Sequence, residues 1–153
     1  MALVTTSNFS IMLNGSPSKT FKPSRGLRQG DPLSPFLFIL MMEGLGNAIK
    51  SDKAEGKIRG LKFTMNGDAL THQQFMDDTM LQGIPTVRED LTYKQILKLF
   101  AMVAGTEVSL TKSKIFFFNT DIAIQRNISR ILGFQRNMLP SKYLGVPLID
   151  KPH

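Results

Sequence analysis

Apolar and polar positions change period several times along the chain, and each change marks an element. In "NFSIMLNGS", residues 8–16, a short apolar run ends in Asn14-Gly15, a dipeptide that favours a tight hairpin because both residues tolerate positive φ. A strand and a turn are predicted there. The following "SPSKTFKPSRGLRQGDPLSP" mixes prolines, glycines and cations too irregularly for either period and reads as loop. From Ser34-Pro35, a cap followed by proline at the first helical position, "FLFILMMEGLGNAIKSDKAEG" is apolar with few breaks and then polar up to Gly56. This predicts a largely buried helix.

Beyond it, "IRGLKFTMNGDALTHQQFMDDTMLQGI" alternates loosely, with Asn66-Gly67 and Asp77-Asp78 as hairpin signals, so two hairpins or a meander are expected. Leu91, Ile96, Leu99, Phe100 and Val103 recur at helical spacing between the acids of "RED" and Gly105, the pattern of an amphipathic helix. "EVSLTKSKIFFFN" reads as a strand pair or a bent strand, "DIAIQRNISRILGF" as another helix, and "NMLPSKYLGVPLI" as strand and turn. Helices mixed with antiparallel hairpins, and no internal repeat, predict an α+β layer architecture.

Composition narrows the class. The chain has 153 residues, about one domain, with 42% hydrophobic and 20% charged residues, which fits a folded globular protein. A formal charge of +7 favours an anionic partner, nucleic acid ahead of a membrane surface. The absence of cysteine excludes disulfides, thiolate metal sites and cysteine catalysis. "MALVTTSNFS" lacks the basic-then-apolar order of a signal peptide, and no apolar run approaches a membrane span, so the chain reads as soluble and intracellular.

The chemistry centres on "QQFMDDTM", residues 73–80, where Asp77 and Asp78 are adjacent between apolar side chains. Within a strand, neighbours point to opposite faces; a hairpin turn lets both project from the sheet end. Adjacent carboxylates repel unless a cation sits with them. Hard oxygen ligands suit Mg²⁺, which takes one or two protein carboxylates and shares its other positions with water and phosphate. A solvated Asp-Asp turn is the plain alternative, and the dipeptide alone does not decide between them.

Four blocks do. "RGLRQGDPLSPFLF" (25–38), "THQQFMDDTML" (71–81), "LTKSKIFFF" (110–118) and "KYLGVPL" (142–148) resemble, in order and spacing, the reverse transcriptase domain of non-LTR (LINE-type) retrotransposons, most like those of plant genomes. The resemblance covers about residues 8–150. It implies that Asp77 ligates the catalytic metals with Asp78 beside it, two Mg²⁺ or Mn²⁺ ions being expected in the complete domain. The implied reaction is attack of a DNA primer 3′-hydroxyl on the α-phosphate of a deoxynucleoside triphosphate, directed by an RNA template. Arg25, Arg28, Gln29 and Gly30 would face the nascent base pair, the arginines supplying charge for phosphates and Gly30 a close backbone approach. Lys112 matches a lysine that would donate a proton to pyrophosphate. Phe75 would lie near the primer or pack beneath the turn, and packing is the simpler expectation. "YLGVPL" corresponds to a block near the primer-strand grip.

The fold implied by the resemblance is a partial polymerase palm: an antiparallel sheet with helices packed on one face. The chain, 1–153, would be one partial reverse transcriptase domain, with a palm core over about 8–120 and a post-palm segment over about 121–150. Members carry an earlier strand with the first catalytic aspartate, yet "MALVTTSN" contains no acidic residue. An unpaired apolar sheet edge and a chain inactive alone are therefore expected. Met76 stands where related elements have alanine, beside the primer end. Nuclear localisation is implied by the family. The competing expectations are a non-catalytic nucleic-acid-binding remnant that grips a backbone through its basic loop, a pseudogene product, and a group II intron maturase.

Overall fold

A computed structural model describes residues 8–64 and 66–148. It opens with an antiparallel hairpin of β1 (Met12–Leu13) and β2 (Ser16–Pro17), closed by Asn14 and Gly15 at φ 49° and 82°. Paired positive φ is what an Asn-Gly turn supplies. Phe9 and Phe21 close its base through reciprocal backbone hydrogen bonds of 2.9 and 2.8 Å and ring stacking at 6.1 Å.

Helix α1 spans Ser34–Ala54 with its proline in the first turn. Ser34 is not its cap, against expectation: it lies inside the helix, and its hydroxyl donates to the Arg28 carbonyl at 2.6 Å. Asp31 holds the helix start instead, its Oδ1 accepting from Leu33 N at 2.8 Å and its carbonyl from Ser34 N at 3.1 Å. Nor is the helix largely buried. Leu45, Gly46 and Ile49 are buried, but Phe36, Ile39 and Leu40 are 70, 65 and 70% exposed. An apolar run is buried only where another element faces it: Leu37 and Phe38 are half-buried, whereas Phe36, Ile39 and Leu40 are left open among the described residues.

The rest of the chain runs β3 (His72–Phe75), β4 (Asp78–Leu81), α2 (Val87–Ala104), β5 (Lys114–Ile115), α3 (Ile122–Leu132), β6 (Gln135–Arg136), β7 (Ser141–Tyr143) and β8 (Val146–Leu148). β3–β4 and β7–β8 are antiparallel hairpins. Around Asn66-Gly67 the chain reverses, but it forms a lone Leu61–Leu70 bridge in place of a second hairpin. The α+β class holds. The single antiparallel palm sheet does not: the described strands form four separate two-stranded sheets, and β5–β6 is parallel. Strands of two to four residues cannot carry a wide ladder, and two-stranded ribbons need helix packing for stability.

That packing comes from α1 and α2. Leu45 and Ile49 of α1, Ile58, and Tyr93 and Ile96 of α2 form the core, with Leu81 of β4 and Phe100 against it. α3 buries Ile128, and Lys94 Nζ donates to the Ile131 carbonyl at its end, 2.5 Å away, where a cation also meets the negative pole of the helix. α2 ends as expected at a left-handed Gly105, φ 65°, and starts at Thr86, whose side chain accepts from Glu89 N at 3.4 Å. Its inward face is rotated from the expected one. Ile96 and Phe100 turn inward, whereas Leu91, Leu99 and Val103 are exposed and Glu89, Asp90 and Tyr93 are buried.

Asp90 is buried with no hydrogen-bond partner for Oδ2 among the described residues. Burial first, and then the neighbouring Glu89 charge, push its pKa up to about 6. A carboxyl held above its unfolded value adds stability below about pH 4 and loses it as pH rises through about 6. Asp90→Asn is therefore expected to stabilise the fold by about 1 kcal/mol at pH 7.5, a figure discounted for solvent screening. Thermal melts of both chains should show the difference shrinking towards pH 4.

Candidate functional site

The ladder of the β3–β4 hairpin closes at Phe75 opposite Asp78. Met76 and Asp77 are thus the turn, and Asp78 begins β4, a shift of one residue from an Asp-Asp turn. Met76 has φ 52°, and Asp77 is not in the left-handed region. Positive φ at the first turn position alone is the II′ pattern, which favours glycine there. Met76 is 71% exposed, so its side chain projects from the tip.

Cross-strand pairing sorts the hairpin into two faces. His72, Gln74, Thr79 and Leu81 share one; Gln73, Phe75, Asp78 and Met80 share the other. The first face lies on α1, where Gln74 Nε2 donates to the Met42 carbonyl at 3.2 Å. A Cβ on Gly46 would stand 3.2 Å from His72 Nε2 and 3.3 Å from Gln74 Oε1, so Gly46 lets the hairpin approach the helix. Burial, with the Lys50 charge, lowers the pKa of His72. Phe75 does not pack beneath the turn, as the simpler expectation had it. It is 58% exposed, because strand parity puts it beside Asp78 on the face away from α1.

Asp77 and Asp78 are exposed, and neither enters an ion pair among the described residues. Two uncommitted carboxylates at a hairpin tip fit one Mg²⁺ whose remaining positions go to water and phosphate. Among the described residues no group of three His, Asp or Glu is placed to hold a metal ion, so neither Asp31 nor Asp68 completes such a set with them. β7–β8 comes near. Burial, and then the negative charge of Asp78, raise the pKa of Tyr143, whose hydroxyl is buried without a hydrogen-bond partner among the described residues.

The basic loop is ordered by its own turn. Asp31 N donates to the Arg28 carbonyl at 3.3 Å across Gln29 and Gly30, and Gly30 has φ 82°, as a type II turn requires. Nothing lies within 4 Å of a Cβ built on Gly30, so the surface above the turn is open. Gln29 and Arg28 are exposed, and Arg28 has no carboxylate partner among the described residues. Arg25 pairs with Glu107 at 3.2 Å, with side chains 68 and 83% exposed, a contact worth little that a phosphate can replace. Lys112 sits in an exposed turn ahead of β5, its N donating to Ser109 Oγ at 3.4 Å. Among the described residues no hydrogen bond or ion pair joins Lys112 or the Arg25–Gly30 loop to the two aspartates. The site that is assembled consists of the hairpin and α1 behind it.

Two side chains behind the hairpin were not singled out from the sequence. Tyr93 Oη donates to the Gln82 carbonyl at 2.7 Å and the Thr71 carbonyl at 3.1 Å. Glu89 Oε1 accepts from Gly60 N at 3.1 Å and Ile84 N at 3.3 Å. The Thr86-x-x-Glu89 spacing of a capping box was a legible signal for the helix start, but the carboxylate turns from the cap to the flanking loops. Burial and the Glu89 and Asp90 charges raise the pKa of Tyr93, which keeps it a donor.

The sequence profile described as Reverse transcriptase (RNA-dependent DNA polymerase) matches residues 2–148. An uncharacterized mitochondrial protein of Arabidopsis thaliana is 44% identical over 68 residues, 44% of this chain and 56% of that protein. A retrovirus-related Pol polyprotein from a type-2 retrotransposable element of Drosophila melanogaster is 41% identical over 69 residues, 44% of this chain and 6% of the polyprotein. The chain thus spans about half of the first relative and a small part of the second. No described helix is long and apolar enough to cross a membrane. With the profile match running over nearly its whole length, the chain belongs to the reverse transcriptase (RNA-dependent DNA polymerase) family.

Proposed function

We propose that this chain is the palm portion of a non-LTR retrotransposon reverse transcriptase, with a palm core over about 8–120 and a post-palm segment over about 121–150. In this reading Asp77 and Asp78 are metal ligands for RNA-directed DNA synthesis. The observation that carries it is the pair of uncommitted carboxylates at the tip of a hairpin backed by α1. Family membership and the retrotransposon relative support it. When bound, divalent cations activate the attacking hydroxyl and stabilise the leaving pyrophosphate. The chain's own parts are binding and positioning: the aspartates hold cations, Arg25, Arg28, Gln29 and Gly30 meet template and nucleotide, and Phe75 lines the open face towards the primer. Lys112 donates a proton to pyrophosphate once it is brought within hydrogen-bond reach.

Alone, the chain is expected not to extend a primer, because among the described residues no third carboxylate joins Asp77 and Asp78. The test is primer extension on an RNA template with Mg²⁺ or Mn²⁺, beside Mn²⁺ binding followed by electron paramagnetic resonance, for this chain and an Asp77→Ala, Asp78→Ala variant. The expected result is no extension by either and Mn²⁺ binding at least ~10-fold weaker in the variant, the loss of a paired carboxylate site. Extension that the variant abolishes would show that another carboxylate completes the site and that the chain is an enzyme by itself. Equal Mn²⁺ binding by both chains would remove the metal role. One observation favours a second reading, a nucleic-acid-binding remnant: Arg28 is unpaired among the described residues and Arg25 only loosely paired. RNA binding that falls steeply with salt, in a chain whose variant binds Mn²⁺ equally, would support that reading.

A further inference from the structure

We infer that Tyr93 is a positioning residue for the Asp77–Asp78 hairpin, acting through a hydroxyl that clamps both strands at their base. This rests on the reading of the two aspartates as metal ligands. Thr71 immediately precedes β3 and Gln82 immediately follows β4, and Gln82 N already donates to the Thr71 carbonyl at 2.8 Å. The Tyr93 hydroxyl adds a second donor to that closed pair, 3.1 Å from the Thr71 carbonyl and 2.7 Å from the Gln82 carbonyl. One proton shared between two strand ends fixes their spacing and their height above α2. One helical turn earlier, Glu89 takes Gly60 N and Ile84 N on a single oxygen, so two successive turns of α2 hold the chain on both sides of the hairpin.

The tip depends on this anchor together with the Gln74–Met42 hydrogen bond that seats the hairpin on α1. The hairpin has no third strand among the described residues, and its outer face is open at Phe75 and Asp78. Four strand residues separate base from tip, about 13 Å at the usual rise, so a tilt of about 5° at the base displaces the turn by about 1 Å. Productive metal constellations tolerate only about 0.5 Å, and Mg²⁺ is strict about ligand geometry. The ring of Tyr93 belongs to the core; the clamp is the hydroxyl alone, and the two can be separated.

Tyr93→Phe keeps the ring and removes the clamp. Amide hydrogen exchange in the full 153-residue chain is expected to lose about fivefold protection from Thr71 to Gln82, the scale of one buried hydrogen bond, while Ile122–Leu132 amides are unchanged. Mn²⁺ affinity should fall about three- to tenfold as the carboxylates lose their common orientation. Unchanged hairpin exchange, or an equal loss in both segments, overturns the clamp, because the second pattern is general destabilisation. Fluorotyrosine at position 93 strengthens the donor without deleting it and should slow exchange at Gln82; no slowing overturns the proposal even if the phenylalanine variant does not fold. The wild-type chain separates the two ideas: if Mn²⁺ does not broaden hairpin amides, the metal reading fails, and exchange still judges the clamp.

Discussion

Gly60→Ala is expected to destabilise the fold by about 3 kcal/mol, the upper range for strain and overpacking at one backbone position. Gly60 has φ 70°, and a Cβ there would stand 2.5 Å from the Leu70 carbonyl oxygen and 2.9 Å from Thr71 Cγ2. The obstacle is backbone, already committed to the Leu61–Leu70 bridge, whose two hydrogen bonds are both 2.8 Å. Neither side can retreat without breaking that bridge or the Gly60 N to Glu89 bond. Urea unfolding measures the loss. Gly15→Ala is the control: it has φ 82° but nothing within 4 Å of the new Cβ, so only the left-handed penalty of about 1 kcal/mol applies. Equal losses at the two positions would mean that the strand approach at Gly60 is not as close as described.

Glu89→Ala is expected to cost about 3 kcal/mol as well, and Glu89→Gln less than about 1 kcal/mol. The side chain is 1% exposed. Alanine would strand two backbone N–H groups, of Gly60 and Ile84, that now share its Oε1. Glutamine keeps an oxygen that can accept both. The charge itself matters less, since the nearest cation, Arg59, lies 3.8 Å away with a largely exposed side chain. A glutamine variant as unstable as alanine would instead assign the stability to the Arg59 ion pair. Chemical denaturation of the three chains decides it, and the spacing of their midpoints is the quantity to compare.

Local signals in the sequence translated well into local structure. Asn14-Gly15 became a turn with two positive φ angles, and Gly105 became the left-handed end of α2, because each depends on one residue's backbone freedom. The hairpin that bears the aspartates was legible too, within one residue. What failed depended on partners. The apolar start of α1 looked buried because composition carries no information about whether an opposing surface exists. The inward face of α2 differs from the one its apolar spacing predicts because hydrophobicity alone ranks leucine and valine above glutamate for burial. Glu89 and Tyr93 are buried because amides and carbonyls from residues 60, 71, 82 and 84 meet them, and those meetings are long-range. Phe75 followed the same logic, its exposure being decided by strand parity once the turn had shifted to Met76-Asp77.

Phe36, Ile39 and Leu40 stand at the spacing of one helical stripe and remain open to solvent. Their consequence concerns lifetime more than shape. A cell meets such a stripe with chaperones and proteases, which act on exposed apolar surface before any reaction is attempted. Until another surface covers it, the stripe is a handle for that machinery, and its coverage lengthens the life of the folded chain.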